Sequence, residues 1–266
     1  MSEIVSGSNG SHGSIVALIP AAGKGSRLAP FPCPKELFPV GYQDIEINGE
    51  HQKRPKVVSQ YLVENLVQAG TDKILIILGD GKADIMSYYG DGARFGADIA
   101  YLFQEQLHGM PGALALARPW VEDSTVLFGM PDTIIEPKNV FRKLLAHHHQ
   151  TSADLSLGLF RTDTPEKFGM VECDSDGTVL GTIDKPENTQ LTLMWGCACW
   201  SFRFTELLTD YVASVAYEGK EAVLGDVFNR AIENGLAVQG CTFDDGQYID
   251  IGTTNELDLA LKRFHL

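Results

Sequence analysis

Residues Ile15 to Val40 read IVALIPAAGKGSRLAPFPCPKELFPV, and the parsing of this stretch decides the fold. Ile15 to Ile19 is a short apolar run with no polar alternation, as expected of a strand buried on both faces. Pro20 ends the run. Ala21, Ala22, Gly23, Lys24, Gly25 and Ser26 then form a loop of mostly small residues. Such a loop lets backbone N–H groups approach a polyphosphate and cradle it, with Arg27 and Lys35 supplying fixed positive charge beside it. The pattern points to a nucleoside triphosphate site. A Walker A loop needs a Gly, four intervening residues and then Gly-Lys followed directly by Ser or Thr, and Gly23-Lys24-Gly25-Ser26 does not supply it. The dinucleotide fingerprint fails as well, because Leu28 stands at its third glycine position. A bare glycine turn between strand and helix is the plain alternative.

Outward from the loop, strands and helices alternate. Gly41 to Arg54 is polar and is expected to be irregular, a lid or an oligomer contact. Val57 to Ala69 carries apolar residues at helical spacing and Gly70 stops it, while Lys73 to Leu78 reads as a second buried strand. Ala83 to Tyr89 is expected to be helical, Asp98 to Phe103 extended, Gly112 to Ala117 helical and Thr125 to Phe128 extended. This rhythm predicts an α/β fold with a mainly parallel sheet flanked by helices on both faces, its ligands gathered at the carboxyl ends of the strands. A helix is expected over Asn139 to Gln150, with His147, His148 and His149 as its solvated end, since consecutive helical residues point in different directions and cannot easily share one metal ion. Ala153 to Phe202 reads mostly as strands with a turn at Asp174-Ser175-Asp176-Gly177. Helices near Thr205 to Val215 and Leu224 to Asn234, a strand around Tyr248 to Ile251 and a helix from about Thr254 to Phe264 complete the chain.

Composition limits the function classes. The 266 residues can bury a large core as one elaborated domain, expected over 15–266 after a disordered tail at 1–14. There are 21 basic against 35 acidic residues, and the formal charge of −14 argues against nucleic-acid binding. Anionic substrates must then be held by local cations and a metal. The five cysteines, Cys33, Cys173, Cys197, Cys199 and Cys241, form no CxxC pair, which indicates neither a disulfide framework nor zinc and fits a reducing cytoplasm. No signal peptide or membrane-spanning run is evident, so no membrane partner is expected.

The glycine loop Gly23-Lys24-Gly25-Ser26-Arg27 followed by Pro34-Lys35 resembles the signature of the sugar-1-phosphate nucleotidylyltransferases, and the AAG entry and Pro34-Lys35-Glu36-Leu37 are similar to its bacterial uridylyl branch. The resemblance runs from Ile15 to Asp250. It implies the Rossmann-like fold of nucleotide-diphospho-sugar transferases, with a nucleotide-binding half at 15–135 and a sugar-phosphate half at 136–266. It also implies that a sugar phosphate attacks the α-phosphorus of a pyrimidine nucleotide, UTP or dTTP, with glucose 1-phosphate the leading acceptor, Mg²⁺ the cofactor and a homo-oligomer the assembly.

Carried over residue by residue, the resemblance makes Arg27, Lys35 and Lys185 catalytic and places Ala21, Ala22, Gly23, Gly25 and Ser26 on the triphosphate. Gln104 and Gly109, in Tyr101-Leu102-Phe103-Gln104 and Gly109-Met110-Pro111-Gly112, would read the base, since an amide can donate and accept at once. Asp132, in Gly129-Met130-Pro131-Asp132, and Asp250, in Tyr248-Ile249-Asp250-Ile251-Gly252-Thr253, would be the Mg²⁺ ligands; a turn Asp and a partner for a helix N-terminus are the plain alternatives. Gly169, Asp184, Lys185 and Gly196 would form the sugar-phosphate pocket, floored by the strand of Trp195 and Gly196. Asp184 replaces the family's usual Glu and is about one methylene shorter, which bears on acceptor choice. The chain ends soon after the closing helix, so no carboxyl-terminal acyltransferase domain is expected. Two further readings stand beside this one: a cytidylyltransferase acting on another phosphorylated sugar or alcohol, and a silent nucleotide-sugar sensor.

Overall fold

The computed structural model describes residues 13–71, 73–216 and 222–264. Strand β1 (Ile15–Ala21) lies inside a nine-stranded mixed sheet, between the parallel strands β4 (Lys73–Leu78) and β6 (Thr125–Gly129), with β5 (Asp98–Phe103) beyond β4 at the edge. The missing alternation in β1 has a direct cause. Val16 and Leu18 enter one apolar core and Ala17 and Ile19 the other, so both sides of the strand are covered. One face is covered by α3 (Gly109–Ala115), α5 (Phe202–Ala216) and α6 (Leu224–Glu233), and the opposite face by α1 (Val58–Gln68), α2 (Ala83–Tyr89) and α4 (Val140–Thr151). The helices on both faces and the α/β class match the expectation from sequence, with α3 starting three residues earlier than its expected first residue, Gly112.

On the far side of β6 the sheet changes character. β11 (Leu193–Trp200) pairs antiparallel with β6, with β8 (Leu155–Arg161) and, at one residue pair, with β9 (Gly169–Cys173). The strand β10 (Val179–Asp184) closes that edge against β9, and β12 (Val238–Thr242) runs parallel to β8. A separate pair joins β7 (Thr133–Glu136), just after β6, to β13 (Gln247–Asp250), and α7 (Thr254–Phe264) follows β13. Among the described residues no helix is long and apolar enough to cross a membrane.

Three expectations need correction or restriction. The stretch expected to be irregular is a two-stranded hairpin, β2 (Pro39–Ile47) and β3 (Glu50–Val57). Its two-residue turn, Asn48-Gly49, has φ of 55° and 83°, the left-handed pair that suits the twist of adjoining strands. The expected disordered tail falls largely outside the described residues. Ser14, the last residue of that expected tail, is held at the start of β1: its carbonyl accepts from the Thr125 N–H at 2.9 Å and its hydroxyl lies 2.7 Å from that of Ser124.

The histidine run is only partly a solvated helix end. His148 is buried with Phe141, Leu144 and Leu145 on the inner face of α4, and its Nδ1 lies 3.0 Å from the Ser156 hydroxyl. Burial, with the neighbouring His149 and His147, lowers its pKa from 6.5 to about 4, against an opposing pull from Asp154. The unfolded chain therefore binds a proton at this site between pH 6.5 and about 4 where the folded chain does not, and stability falls as pH drops through that window. At about 1.4 kcal/mol per pKa unit the full loss is roughly 3 kcal/mol. Urea unfolding of His148→Gln should show a flatter stability profile than wild type across this window; parallel profiles would assign the pH sensitivity elsewhere.

Candidate active site

The carboxyl ends of β1, β4 and β5 lie level, since Ala21 pairs with Leu78 and Leu78 with Phe103. Their loops border one cavity of about 710 Å³ lined by Ala22, Lys24, Gly25, Lys35, Asp80 and Gln104, among others. The chain order reverses at β1, whose neighbours β4 and β6 come from different crossovers, and a crevice at such a point is where open α/β sheets bind ligands. A hollow of about 740 Å³ between Lys138, Lys143 and Asp244 is marginally larger but contains none of the candidate residues.

Ala21 ends β1 and Ala22 is buried beneath the loop, while Gly23, Ser26 and Arg27 are exposed. Gly25 has a φ of 65°, left-handed backbone that favours glycine, and initiates a 3-10 turn over Ser26–Leu28. A Cβ at Gly25 would lie 3.7 Å from Lys35 Cδ, so the lysine stem packs along the loop. Lys35 begins a second 3-10 turn, Lys35–Leu37, and its Nζ donates to Asp132 Oδ2. Burial pulls the Lys35 ammonium down, but Asp132, Glu36 and Asp250 together outweigh it and the net direction is up.

Asp132 and Asp250 are far apart in sequence and adjacent in the fold. Antiparallel pairing of β13 with β7 sets Asp250 opposite Thr133, and the Ile251 N–H donates to the Asp132 carbonyl at 3.1 Å. Asp250 is pushed up to about 6 by burial, then by Asp132 and Glu256, with the Gly252 N–H and Lys35 pulling the other way. Two mutually repelling carboxylates offering only oxygen donors suit a hard divalent cation that keeps water or phosphate in its remaining positions. Among the described residues there is no group of three or more acidic, histidine or cysteine side chains that could hold an ion on its own. On the other side of Asp250, a Cβ at Gly252 would fall 2.8 Å from Arg27 Nη2 and 3.0 Å from Asp250 Oδ1, so the guanidinium reaches across the glycine loop towards this carboxylate.

Gln104 follows β5, its N–H donating to the Leu78 carbonyl at 2.8 Å and its buried side chain lying against Gly112. Its Nε2 is 3.5 Å from the carbonyl of Gly109, which has a φ of 74° at the start of α3. The Gln104 amide, which lines the cavity, is therefore in contact with the Gly109 backbone behind it.

Gly169 pairs with Asp184 across β9 and β10. Lys185 follows with a φ of 45°, its N–H donating to the Phe168 carbonyl at 2.9 Å and its exposed Nζ lying 3.6 Å from Asp184 Oδ2. Gly169 and Gly196 have a packing reason to be glycine that the sequence did not disclose. A Cβ at Gly169 would sit 2.2 Å from Trp195 Nε1, and one at Gly196 would sit 2.5 Å from the Tyr248 ring. Tyr248 touches several of these positions: its ring meets Phe168 edge-on at 5.9 Å, its hydroxyl lies 3.8 Å from Met130 Sδ, and Asp250 is two residues along its strand. Sequence reasoning also passed over the ion pair of Glu36 and Lys82, which lies beneath the cavity. Its signal was a lysine two residues beyond the Gly79-Asp80 end of a buried strand, a weak cue without the fold.

The chain matches the nucleotidyl transferase family over residues 16–263 and belongs to it. It is 28% identical to the low-salt glycan biosynthesis nucleotidyltransferase Agl11 of Haloferax volcanii over 91% of this chain and 66% of that one. It is 27% identical to a UTP–glucose-1-phosphate uridylyltransferase of Synechocystis over 92% of this chain and 62% of that one. The chain thus spans slightly under two thirds of the length of these relatives. A Bacillus anthracis crystal structure, provisionally assigned as a glucose-1-phosphate thymidylyltransferase, superposes with a TM-score of 0.78 at 22% identity, covering 94% of this chain and 95% of that one. At that identity the likeness supports the nucleotide-diphospho-sugar transferase fold.

Proposed function

We propose that this chain transfers a nucleotidyl group from a pyrimidine nucleoside triphosphate, UTP or dTTP, to a sugar 1-phosphate, with glucose 1-phosphate the leading acceptor. The observation that carries the reading is the junction of Lys35, Asp132 and Asp250 beside a cavity walled by the glycine loop and Gln104. Family membership and the names of the relatives support it.

In this reading an oxygen of the sugar phosphate attacks the α-phosphorus in line, the bond to the β-phosphate oxygen breaks, and pyrophosphate leaves. No proton transfer to the protein is required, so the residues act by position and charge. The loop from Ala21 to Ser26 offers backbone N–H groups to the triphosphate, and Arg27 can pair with departing pyrophosphate in a two-pronged contact. Lys35 stabilises charge at the reacting phosphates. Gln104 and the Gly109 backbone read the pyrimidine edge. Lys185 holds the acceptor phosphate, with Asp184 and the Gly169 strand beside the sugar. Asp132 and Asp250 would hold Mg²⁺, which supplies Lewis-acid neutralisation of phosphate oxygens when bound.

The test is a pyrophosphate-release screen of the common nucleoside triphosphates against a panel of sugar 1-phosphates with Mg²⁺. Turnover confined to UTP or dTTP with a hexose 1-phosphate is the expected result. CTP as the preferred donor would favour the cytidylyl reading, and nucleotide binding without pyrophosphate release would favour a sensor. A second measurement separates the acceptor site from the nucleotide site. A charge-assisted contact contributes about 1.5 to 3 kcal/mol, so Lys185→Ala should weaken acceptor binding roughly ten- to a hundredfold. Nucleotide affinity should stay near wild type in calorimetry, and the reverse pattern would remove Lys185 from the acceptor site.

A further inference from the structure

Adjacent residues of the Lys35–Leu37 turn are anchored in different places. Lys35 reaches Asp132 beyond β6, whereas Glu36 accepts from Lys82 Nζ at 3.0 Å through Oε1 and 2.8 Å through Oε2. Both members of the second pair are almost wholly buried, with side-chain exposures of 6% for Lys82 and 2% for Glu36. Lys82 lies in the segment between β4 and α2, at the floor of the cavity that contains Lys35 and Gln104. Gly79, at the start of that segment, packs against the glycine loop so closely that a Cβ there would lie 2.6 Å from the Ala22 carbonyl oxygen. The Glu36–Lys82 bridge therefore ties the turn that presents Lys35 to the loop after β4, and that loop in turn packs on the glycine loop through Gly79.

Removing two charges from water is costly, and an apolar pair of similar volume often stabilises a fold as well or better. A fully buried bidentate pair in this position is thus poorly explained by stability alone. What an apolar pair would not supply is direction. Two hydrogen bonds from one ammonium to both oxygens of one carboxylate set the orientation of Glu36, and through the short turn that of the neighbouring Lys35 backbone.

Resting on the nucleotidyl transfer reading, we propose that Glu36 and Lys82 are positioning residues: their buried bridge holds the Lys35 turn in register with the nucleotide cavity, so that the ammonium meets the reacting phosphates without rearrangement. Neither side chain touches the reacting atoms. Both act through Lys35.

Either single replacement would strand a buried charge and endanger folding itself, so the test uses the neutral double variant Glu36→Gln with Lys82→Met. Two measurements are made on the full chain. The first is amide hydrogen exchange, which needs no activity. The Leu37 and Phe38 N–H groups close the Lys35 turn by donating to the Pro34 and Lys35 carbonyls at 2.9 and 3.1 Å. Their exchange should quicken in the double variant, while the amides of α1 and of β1 keep wild-type protection. Unchanged exchange at Leu37 and Phe38, or uniform quickening throughout the chain, would overturn the proposal.

The second measurement is kinetic, with a donor and acceptor that support wild-type turnover in the pyrophosphate screen. The folded double variant should lose roughly ten- to a hundredfold in kcat with little change in acceptor KM, as expected when a reacting group is misplaced by a fraction of an ångström to an ångström. The same pair of changes should cost almost nothing further in a Lys35→Ala background, because the side chain they position is already gone. Losses that simply multiply would show action independent of Lys35 and would sink the idea. If no donor and acceptor pair turns over with wild type, the functional reading fails, and the exchange experiment still decides whether the bridge orders the turn.

Discussion

Asp132→Asn and Asp250→Asn should each lower turnover by roughly a hundredfold or more, while the double variant is hardly worse than either single one. The motive is their adjacency: the Ile251 N–H bonds to the Asp132 carbonyl, and Asp132 is, after burial, the largest influence raising Asp250. In a protein with a formal charge of −14, two anionic substrates brought beside two carboxylates would be repelled, unless a divalent cation converts those carboxylates into ligands. Losing several kcal/mol of charge stabilisation corresponds to about two orders of magnitude or more in rate. Non-additivity follows if both residues serve one ion. A readout independent of activity is available in Mg²⁺ or Mn²⁺ titration calorimetry in the presence of nucleotide, where each Asn variant should bind the metal far more weakly. Wild-type turnover surviving exhaustive chelation, or single losses that multiply, would leave these residues without a shared ion.

Lys35→Ala is the second large effect. The Lys35 stem packs along the glycine loop and its ammonium pairs with Asp132, so one side chain connects the cavity to the carboxylate pair. If Lys35 acts on the reacting phosphates as proposed, removing its charge should cost roughly a hundredfold or more in kcat. The variant should remain folded, because the apolar cores on both faces of the sheet do not include this side chain. The decisive comparison is kcat against thermal midpoint. Near-normal turnover in folded enzyme would remove Lys35 from the chemistry, and an unfolded variant would show that its bond to Asp132 is structural. Arg27, exposed and reaching towards Gly252 and Asp250, should affect turnover in the same direction.

Local sequence was enough wherever one residue pattern answered to one environment. Lys73 to Leu78 is a strand with the expected bounds, because the short, β-branched-rich apolar run Ile74 to Leu78 is well covered inside a sheet with helices on both faces. Ala83 to Tyr89 likewise forms a helix with the expected bounds. The hairpin over Pro39 to Val57 was harder, since its strands lie outside the main sheet: β2 alternates only half-buried with exposed residues, Ile45 and Ile47 against Asp44 and Glu46, and β3 is polar and mostly exposed before Lys56. Asn48-Gly49 was the available cue. His148 was legible in principle. Residues 140, 141, 144, 145 and 148 recur on one helical face, which marks His148 as the one histidine of the run in register with the apolar stripe.

The site divides along the same line. Sequence by itself determined the chemistry on offer: a small-residue loop after a buried strand, Lys35 beyond it, an amide at Gln104, and single acidic residues just past β6 and at the end of β13. These are properties of residue type and of order along the chain. Only the tertiary structure decided which of them meet. Strand pairing between β7 and β13 brings Asp250 beside Asp132, and level strand ends bring Gln104 to the glycine loop. Folding also settled why Gly169 and Gly196 are glycine, because the Trp195 and Tyr248 rings that fill their Cβ positions come from other strands. The Glu36–Lys82 bridge belongs to this second group too. A charge buried by the fold must find its partner in space, and Glu36 and Lys82, 46 positions apart, are linked by no local spacing in the sequence.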